Sequence, residues 1–391
     1  MTDLVPPRYG RRSLADLLPS VIAALGVGDR SDRPAIDLPE ATSACVVLID
    51  GLGLELLLGC DRRSVPFLHA MLAEGASGDG LDACFPSSTP ISLCSLGTGR
   101  TPGEHGIVGF TMHVPPVPHV LECLAWTAYG SRIDLSVVLP PETLQPCEPL
   151  AASAARGGIA TTVVSLAEHV GTGLTRAAFR GAVFDSFARF DDLDGRVASV
   201  ARRLRAGRAL VYTYDARLDT AAHVYGIGSA EWRDALVATD RLLAALARAL
   251  PPGAVLLVTG DHGGLNVPAP ERIDLADRPD LAADVAFLSG DPRTRHVHAA
   301  PGRADRLLDV WRGGLDDGWV VLSRTEVVGA GLLGPAVRDN VLPRIGDVVA
   351  VATGGAGVFD RTRFPWELRL AAFHGAMTPA ELRVPLLIHR A

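Results

Sequence analysis

The sequence predicts an α/β fold, a mostly parallel sheet with helices on both faces. Three observations carry that expectation: apolar runs of strand length recur along the chain, helical patterns separate them, and polar or glycine-rich punctuation ends each one. The first run, residues 44–49, reads Ala-Cys-Val-Val-Leu-Ile and leads directly into Asp50-Gly51. Residues 160–165, 209–214 and 254–259 repeat the style, and 384–388 supply a further strand near the C-terminus. Runs that stay apolar, rather than alternating with polar residues, suit strands buried on both faces. The intervening stretches 193–206 and 230–250 have helical periodicity, and Ser13 with Asp16 reads as an N-cap pair opening a short amphipathic helix. In such a sheet, functional groups gather where strands end and loops begin.

Two segments break the alternation. Residues 110–150 are proline-rich and aperiodic, a loop-rich insertion. Residues 265–360 carry their own short strands, at 319–322 and 348–351, and read as an inserted α+β subdomain that caps the substrate. The catalytic core is then expected over 40–264 and 361–391.

Composition narrows the function. The chain is 48% hydrophobic, enough for a large core, and its formal charge of −7 gives no electrostatic support for a duplex nucleic acid. It contains no lysine, so every mechanism that needs a catalytic lysine is excluded. The six cysteines form no CxxC pair and sit mostly among apolar neighbours, which fits a reducing cytoplasm. No run of about eighteen uncharged apolar residues predicts a membrane span. No coiled-coil repeat or long exposed apolar strand calls for an oligomer, so a monomer is expected.

The chemistry lies in acidic residues, histidines and one threonine that recur at strand ends far apart in sequence. Asp50 follows the first strand in Asp50-Gly51-Leu52-Gly53, and Thr89 lies in Phe85-Pro86-Ser87-Ser88-Thr89-Pro90. Asp219 and His223 share one helical turn, Asp261-His262-Gly263-Gly264 ends the fourth strand, and His374 precedes Gly375. Singly, each reads as a turn or a surface hydrogen bond. Together, carboxylate and imidazole donors suit zinc or manganese better than calcium or magnesium.

This ordered set resembles the alkaline phosphatase superfamily, and within it the nucleotide pyrophosphatase/phosphodiesterase branch. The stretch Thr98-Gly99-Arg100-Thr101-Pro102-Gly103-Glu104-His105-Gly106 adds a further matching motif. The resemblance implies an alkaline-phosphatase-like fold and two divalent metal ions per chain, Mn²⁺ favoured and Zn²⁺ an alternative. One ion would be held by Asp219, His223 and His374, the other by Asp50, Asp261, His262 and the nucleophile Thr89. A threonine hydroxyl is a weak nucleophile at neutral pH, and metal coordination is the available way to activate it. His105 has no metal role in this pattern and reads as structural, as do His69, His113, His119, His169 and His389.

Ser92, three residues after Thr89, stands where the branch carries a phosphate-contacting asparagine. Arg295, His296 and His298 read either as a solvated strand face or as contacts to a distal phosphate. Sulfatases are excluded because Cys84-Phe85-Pro86-Ser87-Ser88 lacks the required arginine, and cofactor-independent phosphoglycerate mutases because lysine is absent. Within the branch the chain is most similar to actinobacterial phosphodiesterases that cleave cyclic di-AMP, which implies a small nucleotide substrate and hydrolysis to the linear dinucleotide and AMP. A phosphomonoesterase or phosphonate hydrolase, and a non-catalytic nucleotide-binding protein, remain open. Of these, the monoesterase requires a positive clamp near Thr89, for which Arg100 is the nearby candidate.

Overall fold

The computed structural model describes residues 4–27, 34–74 and 79–391. Its first helix, α1 (Leu14–Ala24), opens on Ser13 with the reciprocal Ser13/Asp16 capping box that the sequence predicts. Strand β1 (Ser43–Ile49) follows, and helix α2 (Thr89–Thr98) carries the nucleophile segment. Next come β2 (Ala160–Leu166), β3 (Val183–Phe187), helix α3 (Leu193–Leu204) and β4 (Ala209–Asp215). Helices α4 (Arg217–Tyr225) and α5 (Ala230–Ala249) then lead into β5 (Ala254–Gly260). These five strands lie parallel in the order β3-β2-β4-β1-β5.

The centre of the sheet is dry on both faces, as the unbroken apolar runs require. Side chains alternate across a strand, so Ala44, Val46 and Leu48 enter one apolar cluster while Cys45, Val47 and Ile49 enter the other. All six are at most 1% exposed. Each buried aliphatic side chain contributes roughly 1.5–3 kcal/mol relative to exposure, so β1 anchors both layers.

Beyond β5 the chain builds a second sheet from β6 (Val285–Asp291), β7 (Thr294–Ala299), β8 (Trp319–Ser323) and β9 (Val348–Ala352). It is antiparallel throughout, in the order β6-β7-β9-β8. The chain then returns to the first sheet as β10 (Leu386–Arg390), antiparallel to β5. Within the proline-rich segment, Thr111–His113, Val120–Glu122 and Thr127–Ala128 form a small antiparallel sheet that packs beside β6.

Register positions the chemistry. Ile49 pairs with both Asp215 and Gly260, so the loops leaving β1, β4 and β5 emerge together. A short ladder joins Leu265 to Phe373 and Asn266 to Ala372, and so brings the segment before His374 beside the loop after β5. The β1 and β5 loops touch through glycines. A Cβ on Gly263 would stand 2.0 Å from the Ala380 carbonyl oxygen and 2.9 Å from the Gly53 Cα. Asp-Gly-x-Gly and Asp-His-Gly-Gly therefore carry glycine where the two loops must meet.

Candidate active site

Thr89 is the first residue of α2, after an extended Ser88, with Pro90 second. Proline suits a first turn because its missing N–H would be unpaired there anyway. The helix start leaves N–H groups without partners inside the helix and carries the positive end of its dipole. The Thr89 hydroxyl lies 3.1 Å from His262 Nε2.

The three histidines share one arrangement. His223 Nδ1 donates to the Ala372 carbonyl at 2.7 Å, His262 Nδ1 to Gly263 at 2.9 Å and His374 Nδ1 to Ser87 at 2.8 Å. A carbonyl only accepts, so each Nδ1 carries a proton and each Nε2 is the atom left to face the cluster. In its neutral form each ring then has the tautomer a metal ligand needs. The His262 and His374 rings stack 3.6 Å apart.

The carboxylates are equally constrained. Tyr214 donates its hydroxyl to Asp50 Oδ2, and Gly51 N–H and His262 N–H donate to Asp261 Oδ1, each at 3.1 Å. Asp50 Oδ1 and Asp261 Oδ2 are buried without a hydrogen-bond partner among the described residues, and lie 3.4 and 3.5 Å from His262 Nε2. Burial raises the Asp50 pKa well above its ordinary value, and the Asp261 and Asp219 carboxylates push it further the same way. Burial also raises Asp261, opposed by His262. Burial works against Asp219 ionising, yet the neighbouring His223, His374 and His262 rings bring its net shift downward. For His223 burial opposes the charge, but Asp219, 3.1 Å away, lifts it to about 9. Burial drives His374 well below its usual value, and His262 adds to that. Orphaned carboxylate oxygens facing imidazole lone pairs fit divalent cations, which would supply the charge the cluster lacks.

All seven residues expected at the centre lie around this cluster. Asp50, Asp261 and His262 form one compact triad. The other compact triad is Asp219, His262 and His374, with His223 turned toward Asp219 instead of completing it. His223 Nε2 lies 3.1 Å from Asp219 Oδ2, as an ion pair.

Four expected substrate contacts stand elsewhere. Ser92 is fully buried and donates to the Asp261 carbonyl at 2.8 Å, bracing a ligand loop instead of facing the cleft. Arg295, His296 and His298 belong to β7, an inner strand of the second sheet, and are 0%, 1% and 5% exposed. Arg295 pairs with Glu367 at 2.5 Å, His296 Nδ1 accepts from Gly346 N–H at 3.1 Å, and His298 lies 3.4 Å from Ser289 Oγ. Neither a solvated face nor a phosphate contact describes them, because a strand flanked on both sides buries what its alternation suggests is wet. Arg100 pairs with Glu104 at 3.3 Å, beyond the far end of α2 from Thr89. His105 is structural: it is buried between Ser95 Oγ and the Ile107 N–H, and burial lowers it to about 3.

Two cavities meet at Thr89. The larger, about 630 Å³, reaches from the ligand cluster to Phe110, Leu124, Tyr129, Arg132 and Trp366. The smaller, about 260 Å³, is lined by His169, Phe179, Phe184 and Tyr212. Both share Leu124, Tyr214 and Ala216 with Thr89. Sequence reasoning missed the aromatic walls, and also Tyr214 and Asp291. Tyr214 ends an expected strand and carried a usable signal; Asp291, in Gly290-Asp291-Pro292, has the signature of an ordinary turn. Asp291 accepts from Ser88 Oγ at 3.0 Å and lines the larger cavity, and burial raises it to about 7.

The fold and this cluster define a metal-dependent hydrolase of phosphoester bonds. Residues 44–376 match the family described as type I phosphodiesterase/nucleotide pyrophosphatase. The chain belongs to that family. No curated protein matches the chain by sequence. Among solved structures, it is similar to murine ectonucleotide pyrophosphatase/phosphodiesterase 5, an inactive form in complex with AMP. The TM-score is 0.69 at 19% identity, over 89% of this chain and 88% of that one. The human counterpart gives 0.67 at 17%, over 89% and 87%. Phosphonoacetate hydrolase from Sinorhizobium meliloti 1021, in complex with phosphonoformate, gives 0.65 at 20%, over 90% of each chain. These likenesses establish the shared fold. Among the described residues, no helix is long and apolar enough to cross a membrane.

Proposed function

We propose that the chain is a two-metal phosphodiesterase that attacks a nucleotide diester with Thr89. The observation that carries this reading is the Thr89 hydroxyl at a helix N-terminus, 3.1 Å from His262 Nε2, with two buried carboxylate oxygens that lack a hydrogen-bond partner among the described residues 3.4 and 3.5 Å from the same nitrogen. Asp50, Asp261, His262 and Thr89 would hold one divalent cation and Asp219, His223 and His374 the other, Mn²⁺ favoured over Zn²⁺. When bound, such ions lower the pKa of a hydroxyl or water and neutralise charge on the phosphoryl oxygens. His262 Nε2, which meets the Thr89 hydroxyl at 3.1 Å, would also be a ligand of that cation, and the hydroxyl proton would pass to solvent. Thr89 Oγ1 then forms a bond to phosphorus as the ester oxygen leaves with a proton. The second ester stays on phosphorus, so the intermediate is a threonyl phosphodiester, and water cleaves its bond from phosphorus to Thr89 Oγ1, releasing the phosphomonoester and restoring the hydroxyl. The first N–H groups of α2 face the phosphoryl oxygens.

Two cavities joined at the nucleophile suit a phosphorus atom with a bulky group on each ester oxygen. The walls support aromatic occupants: Phe110 and Tyr129 stand edge-to-face at 5.8 Å, as do Tyr129 and Trp366 at 5.1 Å. Cyclic di-AMP, two nucleosides joined by diesters, is the substrate the sequence resemblance nominates. A monoesterase is disfavoured because Arg100, its candidate clamp, is paired with Glu104. The six free thiols support a reducing cytoplasm as the working compartment. The test is manganese-dependent hydrolysis of cyclic di-AMP, read by chromatography, beside the Asp261→Asn variant. Linear dinucleotide and AMP, lost in the variant, support the reading; an intact cyclic substrate beside a cleaved aryl diester removes cyclic di-AMP; inertness toward every diester removes the function.

A further inference from the structure

We propose that Arg132 is a specificity-determining residue that receives a second phosphate of the substrate, at the wall of the larger cavity. The inference rests on the diesterase reading above and adds what the far wall selects.

The cavity wall is acidic. It presents Asp50, Glu122, Asp219, Asp291 and Glu367, and Arg132 is the one arginine lining either cavity that meets at Thr89, among the described residues. In a lysine-free chain with a net charge of −7, a fixed guanidinium in the cleft is a local exception to the overall field. Arg132 is exposed and makes no ion pair or hydrogen bond among the described residues. Its neighbours leave its charge unspent. Glu367 is already engaged by Arg295 at 2.5 Å and by the Tyr129 hydroxyl at 2.8 Å. Glu122 is partly buried, and burial raises its pKa.

The turn that carries Arg132 is built to hold it still. Ser131 N–H donates to the Ala128 carbonyl at 2.9 Å and Ala128 N–H to the Ile133 carbonyl at 2.8 Å. Ser131 Oγ donates to the Ala128 carbonyl at 2.9 Å, and Ile133 N–H donates to Ser131 Oγ at 3.2 Å. Gly130 has φ +77°, and a Cβ there would lie 2.4 Å from the Trp366 ring, so the turn rests directly on the indole. Tyr129, the preceding residue, is tied to Trp366 Nε1 at 3.3 Å as well as to Glu367. The turn fixes where the Arg132 backbone stands at the cavity, and its guanidinium, unpaired among the described residues, can meet a phosphate in paired charge-assisted hydrogen bonds.

The test uses two linear diadenosine diesters, identical except that one bears an additional 5′-phosphate. Both are assayed with the wild-type protein and the Arg132→Gln variant, each saturated with Mn²⁺. The wild type is expected to favour the phosphorylated dinucleotide by about tenfold in KM, the scale of one charge-assisted hydrogen bond, and the variant to lose that preference while kcat changes little. Arg132→Lys should restore part of it, which a merely structural loss would not. A preference that survives in Arg132→Gln, or no preference in the wild type, overturns the proposal while leaving the diesterase standing. Failure of the wild type to cleave either compound brings down the diesterase reading, and this inference with it.

Discussion

Replacing Thr89 by alanine separates chemistry from architecture, because the structure assigns the side chain little else to do. The residue is 5% exposed, and its hydroxyl makes one side-chain hydrogen bond, to His262 Nε2 at 3.1 Å. Losing that bond and one methyl group costs about 1–2 kcal/mol of stability. At 391 residues this is a Tm shift of only about 1–3 °C. Losing a nucleophile, by contrast, typically costs about 10⁴-fold or more in kcat, equivalent to about 5 kcal/mol of transition-state stabilisation. The assay is Mn²⁺-dependent hydrolysis of an aryl phosphodiester, with thermal melts alongside and acid-quenched wild-type enzyme examined by mass spectrometry for the remaining phosphoryl ester on the peptide containing Thr89. Thr89→Ser keeps the hydroxyl and is expected to fall far less than Thr89→Ala. The reasoning is refuted if the alanine variant keeps more than about a tenth of wild-type turnover, well above what loss of a nucleophile allows. Water would then be the attacking group and the helix terminus only a phosphate cradle.

Ser92→Ala should lower Tm through loss of the 2.8 Å bond to the Asp261 carbonyl, about 1–2 kcal/mol, and weaken Mn²⁺ affinity without a selective rise in KM. A selective KM rise would return Ser92 to the phosphate-contacting role the sequence suggested. His223 is protonated in the metal-free chain below pH about 9, so cation binding should expel close to one proton at pH 7, with apparent affinity rising toward pH 9. Calorimetry in buffers of different ionisation heat reads this directly, and a proton count near zero would contradict the His223–Asp219 pair. Asp291 has a folded pKa raised from 3.8 to about 7, so its contribution to metal-free stability is fully present below pH about 4 and lost as pH rises through 7. That loss is of the order of a few kcal/mol. Asp291→Asn should flatten this part of the stability profile in chelator, and an unchanged slope in denaturant titrations would refute the assignment.

Sequence reasoning reached the parts of the molecule where local chemistry and tertiary role coincide. Four of the five parallel strands were legible because both of their faces are buried, which leaves an unbroken apolar run. The edge strand β3 was not, since Val-Phe-Asp-Ser-Phe is half exposed and carries Asp185 for Arg202 and Arg203 to bind. The seven candidate ligand positions were legible because Asp50, Asp261, His262 and His374 follow strands beside glycines, Thr89 opens α2 before a proline, and Asp219 and His223 stand four apart on α4. The alternation in Arg295-His296-Val297-His298 misled: it mimics a strand with one wet face, while the second sheet encloses β7 between β6 and β9. The aromatic walls escaped because Phe110, Tyr129 and Trp366 come from segments without period, and only tertiary folding brings them to one cavity.

This division has a physical origin. The candidate ligands come from the ends of core elements, where parallel register fixes them and the Gly53–Gly263 contact locks two of the loops together. The far wall of the larger cavity comes instead from the proline-rich segment, from β6 and from the segment around Trp366. The second sheet is joined to the segment around Trp366 by the buried pair Arg295–Glu367, and the turn between β6 and β7 to the C-terminal core by Arg293–Glu381 at 2.6 Å. Breaking one partner of such a pair costs about 3–5 kcal/mol, so the wall is held in place without sharing residues with the candidate metal cluster. Side chains facing the substrate can therefore change while the phosphoryl chemistry stays fixed. The same fold accordingly occurs in structures described as a nucleotide pyrophosphatase/phosphodiesterase and as a phosphonoacetate hydrolase, and substrate choice in this chain is to be sought at Phe110, Tyr129, Arg132 and Trp366 rather than among the ligands.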